Sequence, residues 1–171
     1  RMGKQPREKE TAPGVRNGCV PNRNPGVMFC IEPIDWPQSI RKHFDVSTIM
    51  YIGPRAIIRY DDARATYLYS LFLSNSFDAV AKHLERLYGP PTESIKRVIA
   101  PLAQPRLSNP TMIWRSVDPT TSRITNLEIR RFDDARGGFP DTRHGVLLFH
   151  QAWTPAIFPM LSTLELMRVV K

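Results

Sequence analysis

From Ser76 to Gly89 the apolar residues Phe77, Val80, Ala81, Leu84, Leu87 and Tyr88 recur every three or four positions. That spacing lines one face of an α-helix. Both ends are marked. Ser76 offers an oxygen to the free amides of a first turn, and Asp78 sits near the positive end of the helix dipole. Gly89, followed by Pro90 and Pro91, forbids continuation. The pattern predicts a main amphipathic helix over residues 76–88.

Elsewhere the period is two. Between Ala65 and Leu73, the side chains of Tyr67, Tyr69 and Leu71 face one way and those of Leu68 and Phe72 the other. Such a strand is covered on both faces. The runs 49–52 and 56–60 are separated by Gly53-Pro54 and read as a strand pair. Val27 to Ile31 predicts a first extended segment, and Trp36-Pro37 opens a short helical turn carrying Ile40 and Phe44. Beyond the main helix, residues 90–110 are interrupted by Pro90, Pro91, Pro101, Pro105 and Pro110, with room for a short strand over 96–100. Residues 111–117, 124–132 and 145–149 then read as a three-strand meander. The tail, 155–170, reads as a short C-terminal helix capped by Ser162 or Thr163 and packed on the sheet. The order predicts the α+β class: an antiparallel sheet of about six strands, packed by the helix over 76–88 and the short terminal helix. No alternation of strand and helix suggests a doubly wound nucleotide-binding sheet.

One six-residue phrase occurs twice, as Arg59-Tyr60-Asp61-Asp62-Ala63-Arg64 and as Arg131-Phe132-Asp133-Asp134-Ala135-Arg136. Each copy follows an apolar run, where a hairpin would turn, and Asp is a residue that closes turns on its own backbone. The repeat fits either a duplicated hairpin or a turn chemistry used twice. In both cases the flanking Arg residues would hold the carboxylates ionised, the opposite of a tuned general acid.

Charge changes the picture mainly at one end. Of a net charge of +8, half is carried by Arg1, Lys4, Arg7, Lys9, Arg16 and Arg23 against Glu8 and Glu10. Residues 1–26 hold almost no large apolar side chain, so they are expected to be a basic, Pro/Gly-rich flexible arm ahead of a single domain at 27–171. Such an arm would make electrostatic contact with an anionic surface, whether lipid headgroup, nucleic acid or acidic protein. The chain opens on Arg1, as expected where a signal peptide, anchor or transit peptide has been removed. No run approaches the roughly 18 apolar residues of a membrane helix.

The two cysteines, Cys19 and Cys30, lie close together around Pro21, Pro25 and Gly26. An even number at short spacing in such a segment fits a disulfide closing a small loop, hence an oxidising compartment. In a reducing compartment the same residues would be two thiols, with Cys30 buried beside Phe29 and Ile31.

Other chemistry is thin. His43, His83, His144 and His150 show no ligand spacing, so no metal is expected, and neither a phosphate-cradling loop nor a nucleophile elbow is present in the sequence. No cofactor or catalytic residue is expected. Arg115, Arg123, Arg130 and Arg131 sit among strand residues, where Arg130-Arg131 near Glu128 and Asp133 suggests cross-strand ion pairing rather than a nucleic-acid face. The expectation is a non-enzymatic interaction or scaffolding domain of a bacterial cell-envelope assembly, periplasmic or otherwise exported, with other protein subunits as partners. A nucleic-acid or ribonucleoprotein component using the basic arm is the first alternative. A small-ligand-binding domain or hydrolase is the second, and an organelle is the alternative location.

Overall fold

The computed structural model describes residues 10–12, 15–16, 18–158, 160–162 and 165–166. The strands in chain order are β1 Glu10–Ala12, β2 Val15–Arg16, β3 Cys19–Pro21, β4 Val27–Pro33, β5 Val46–Ser47, β6 Ile52–Gly53, β7 Arg55–Asp61, β8 Arg64–Leu73, β9 Glu93–Ile99, β10 Leu107–Val117, β11 Ile124–Arg130 and β12 His144–Gln151. Helix α1, Gln38–Arg41, precedes β5, and helix α2, Phe77–Tyr88, follows β8. Among the described residues ten strands form one sheet in the order β1-β2-β3-β4-β7-β8-β12-β11-β10-β9, while β5 and β6 pair apart from it. Every pairing in both sheets is antiparallel. The class is α+β, with more strands than the six expected.

The topology follows from one crossover. After β8 the chain runs along α2 across one face of the sheet to the far edge at β9. It then meanders back through β10 and β11, so that β12 lies against β8 in the middle. Both faces of these central strands are therefore covered. On one, Ile58, Leu68, Phe72, Ile129 and Leu147 meet Phe77, Val80, Ala81 and Leu84 of α2. On the other, Ile57, Tyr69, Leu71, Val146 and Leu148 meet Met50, Tyr51, Ile157, Phe158, Leu161 and Leu166. The alternation in β8 is thus apolar on both parities because each parity has its own covering layer. Gly145 in β12 has no side chain for a reason: a Cβ there would run into the Phe72 ring and the Arg130 carbonyl.

Several expected elements are corrected. The run 49–52 is not a strand paired to 56–60. Thr48 Oγ1 accepts from the Met50 and Tyr51 amides at 3.1 Å each, bending the chain so that Met50 and Tyr51 become covering residues of the second face. The partners of β7 are β4 and β8. Ser76 does not cap α2; its hydroxyl lies 2.7 Å from His43 Nδ1. Leu87 and Tyr88, expected on the apolar face, are 59% and 62% exposed, although β10 reaches the end of the helix, where Trp114 Nε1 donates to the Gly89 carbonyl at 2.9 Å. Strand β9 was visible only in part, since six of its seven residues are exposed and show no alternation. Strand β10 begins at Leu107 rather than after Pro110. Pro110 faces β11, where the Arg131 amide donates to its carbonyl at 3.0 Å, so its missing N–H costs the β9 ladder nothing.

Of the expected C-terminal helix only Glu165–Leu166 is described, and it is helical. Ser162 and Glu165 cap its start reciprocally: the Glu165 carboxylate accepts from the Ser162 amide at 2.8 Å, and the Ser162 hydroxyl accepts from the Glu165 amide at 3.2 Å. The remainder of 155–170 lies partly outside the described residues.

Cys19 and Cys30 form a disulfide. They are directly opposed in the β3–β4 ladder with Cα atoms 4.0 Å apart. Strand β3 thus joins the sheet on the arm side of the boundary expected at residue 26. A closed loop of this size stabilises by roughly 2–3 kcal/mol through restriction of the unfolded chain. Replacing both cysteines by Ala is expected to lower the unfolding free energy by about that amount in urea denaturation. Titration of the unreduced, unfolded protein is expected to find no reactive thiol; two reactive thiols would refute the bridge.

Candidate functional site

The two copies of the repeated phrase have different fates. In the first, Asp62 and Ala63 both adopt left-handed backbone, φ +49° and +65°, and close the two-residue turn between β7 and β8. Asp61 accepts from Arg59 Nε at 2.9 Å and Nη2 at 3.0 Å, and from the Thr66 hydroxyl. Burial acts to raise the Asp61 pKa, but the hydrogen bonds from Arg59 and Thr66 outweigh it and leave the carboxyl below its ordinary value. This copy is the hairpin turn that the sequence suggests.

The second copy is not a hairpin. It opens the long loop between β11 and β12, and Asp133 folds inward to 2% exposure. Its backbone pairs with Asp141, and its amide also donates to the His144 carbonyl at 2.8 Å. Its carboxylate accepts from the Tyr69 hydroxyl, the Ala135 amide at 3.0 Å and Arg136 Nε at 3.2 Å. Burial dominates here and raises the Asp133 pKa despite those donors, with the nearby Asp141 charge adding to the rise. Burial likewise pushes the Tyr69 and Tyr51 hydroxyls well above their ordinary range. Tyr51 accepts the Leu71 amide at 2.8 Å, and Arg136 Nη1 lies 3.8 Å from Met50 Sδ. The loops 48–51 and 131–143 are thereby tied together over the end of β8.

Around this centre the other charges are paired. Asp141 Oδ2 is 2.8 Å from His144 Nδ1 and 3.7 Å from Arg136 Nη2. Asp134 takes Arg130 at 2.6 Å and Arg97 at 3.0 Å; Arg130 also holds Glu128 beside it in β11, and Arg115 holds Glu93 at 2.9 Å. Burial raises Asp134 and Asp141, yet the bonds from Arg130 and from His144, respectively, bring both below the usual carboxylate range. The Arg130–Glu128 pair runs along one strand rather than across strands as expected. Arg131 instead lies over the ring of Phe132, 5.6 Å from its centroid. The sequence missed Tyr69 and Asp141 as members of this network, because their proximity to Asp133 depends on β12 inserting beside β8, whereas Arg136 pairs with Asp133 as a flanking Arg was expected to.

His144 and His150 share a face of β12, but six residues of strand separate them by about 20 Å. His150 stacks on Tyr67, with ring centroids 4.8 Å apart. Among the described residues no three His, Cys, Asp or Glu side chains converge as a metal would need. A shallow groove lined by Gln38, Arg41, Lys42, Asp45 and Pro54 lies beside α1. Of the basic arm, Arg1, Lys4, Arg7 and Lys9 lie outside the described residues, Arg16 falls in β2, and Arg23 is exposed in the β3–β4 connection. Among the described residues no helix is long and apolar enough to cross a membrane.

The bracing has an outward consequence. The connections 48–51, 100–106 and 131–143 all emerge at the end of the sheet where β7 and β12 begin. That end of the sheet presents Ile49, Ile52, Leu102 and Phe139, each at least 62% exposed, together with exposed Arg55, Arg106, Arg131 and Arg143. Loops held on a rigid scaffold with apolar tips and cationic neighbours suit contact with another macromolecule. The chain matches no protein-family model, and no curated protein or solved structure matches it.

Proposed function

We propose that this chain is a non-enzymatic interaction domain of an exported cell-envelope assembly, which contacts a protein partner through the loop-bearing end of its sheet. The observation that carries the reading is the contrast at that end. Asp133, Asp134 and Asp141 are consumed in intramolecular pairs that fix the loops, while Ile49, Ile52, Leu102 and Phe139 are left to solvent. Buried, satisfied networks rigidify what surrounds them, and preorganised loops bind at lower entropic cost. The carboxylates are held ionised by Arg or sequestered from solvent, an arrangement that supports structure rather than proton transfer. The Cys19–Cys30 bridge supports an oxidising location.

Site-specific photocrosslinking in the native cell tests this. A photoreactive residue at Phe139 or Leu102 is expected to yield a discrete protein adduct. One at Thr121, at the opposite end of the sheet, is expected to yield none. Adducts from Thr121 alone, or from none of the three, would overturn the proposal. Thiol trapping in the same cells is expected to find Cys19 and Cys30 fully oxidised, and reduced thiols there would remove the exported location.

A further inference from the structure

Strand β9 is a sheet edge, and its outward groups can be identified. In an antiparallel ladder a residue directs its N–H and C=O to the same side. The Pro110 carbonyl accepts from Arg131, so Pro110 faces β11, and its partner Lys96 has both backbone groups turned away from β10. Alternation gives Ser94 and Val98 the same outward direction. Between them, Glu93, Ile95 and Arg97 stand on the sheet face opposite α2, Glu93 held by Arg115 and Arg97 by Asp134. Ile95 is 43% exposed and Val98 70%.

We propose that β9 pairs with β9 of a second copy of this chain, antiparallel about a two-fold axis at Ile95. The charge pattern selects both occupant and register. With Ile95 opposite its own counterpart, Glu93 lies opposite Arg97 of the other copy and Arg97 opposite Glu93, while Ser94 and Lys96 exchange backbone hydrogen bonds across the axis. A register centred on Lys96 sets two ammonium groups face to face, and one centred on Arg97 does the same with guanidinium groups. Both are disfavoured. In the favoured register the rows Arg115–Glu93 and Arg97–Asp134 become one line of alternating charge across the interface. Two self-complementary edges meeting about a two-fold axis close the assembly at a dimer and cover an edge that would otherwise recruit strands indiscriminately. This surface is distinct from the loop-bearing end, and the two proposals stand or fall separately.

Cysteine placement reads the register. Opposed residues of a non-hydrogen-bonded antiparallel pair have Cα atoms about 4.5 Å apart, within disulfide reach. The Ile95→Cys protein, its native disulfide intact, is expected to form a covalent dimer on air oxidation. Val98→Cys is not, because its two copies would lie about 20 Å apart along the strand. Sedimentation equilibrium of the unmodified protein is expected to show a monomer–dimer equilibrium. Arg97→Glu or Glu93→Arg is each expected to weaken self-association roughly tenfold, and an equimolar mixture of the two is expected to restore dimers as heterodimers. Native circular dichroism of each variant confirms folding. A monomer at every concentration, equal crosslinking at residues 95 and 98, or no recovery on mixing would each overturn the proposal.

Discussion

Replacing Asp133 by Ala is expected to lower the unfolding free energy by about 3–5 kcal/mol, the cost of breaking a buried ion pair from one side. The Asp133 side chain is fully buried, and its loss leaves three donors without their acceptor: the Tyr69 hydroxyl, the Ala135 amide and the Arg136 guanidinium. Tyr69→Phe is expected to cost roughly 1–3 kcal/mol as a lost buried hydrogen bond. The double variant should fall short of the sum, by a coupling of about 0.5–3 kcal/mol, because the two side chains share one interaction. Strict additivity in urea denaturation would show that they do not. The pH dependence has opposed signs. Asp61, Asp134 and Asp141 have folded pKa values below the ordinary 3.8, so the unfolded chain binds their protons first and their contribution to stability is lost as pH falls from 3.8 through the folded values. Asp133 is raised in the folded state, so there the folded chain takes the proton first and acid favours folding. Asp133→Asn is therefore expected to lose stability more steeply than the native protein as pH falls toward 4.

Leu84→Ala is expected to cost about 2–5 kcal/mol, as for other leucines enclosed in a core. Leu84 is 6% exposed and packs with Phe77, Val80 and Ala81 against the sheet. Leu87 lies one turn further along the same predicted stripe, yet Leu87→Ala is expected to change stability by about half a kcal/mol or less, since its side chain already faces solvent. Thermal or urea unfolding of the two variants separates them, and equal losses would mean that something covers the end of α2. Enclosure by the opposite layer decides the cost here, not hydrophobicity or helical position.

The same distinction divides what the sequence determined from what the tertiary structure decided. Helix α2 was legible because a helix is specified by contacts three and four residues apart, and its breaker Gly89 is adjacent. The β7–β8 turn was legible because Asp62 and Ala63 close it locally, and the disulfide because Cys19 and Cys30 are near in sequence. The Asp-Asp-Ala-Arg phrase by itself fixed only a change of chain direction. Its two copies diverge because β7 has β8 immediately after it to pair with. Strand β11 must instead wait for β12, and the intervening loop carries Asp133 beneath Tyr69, whose own strand is far away in sequence. Strand β9 was obscured for the converse reason. An edge strand exposed on both faces needs no alternation, and only the backbone of β10 makes it a strand. Local patterns state which side of an element is apolar. Which layer meets it, how far that layer extends and which charges are enclosed with it are set by strand order, a property of long-range pairing that no short segment encodes.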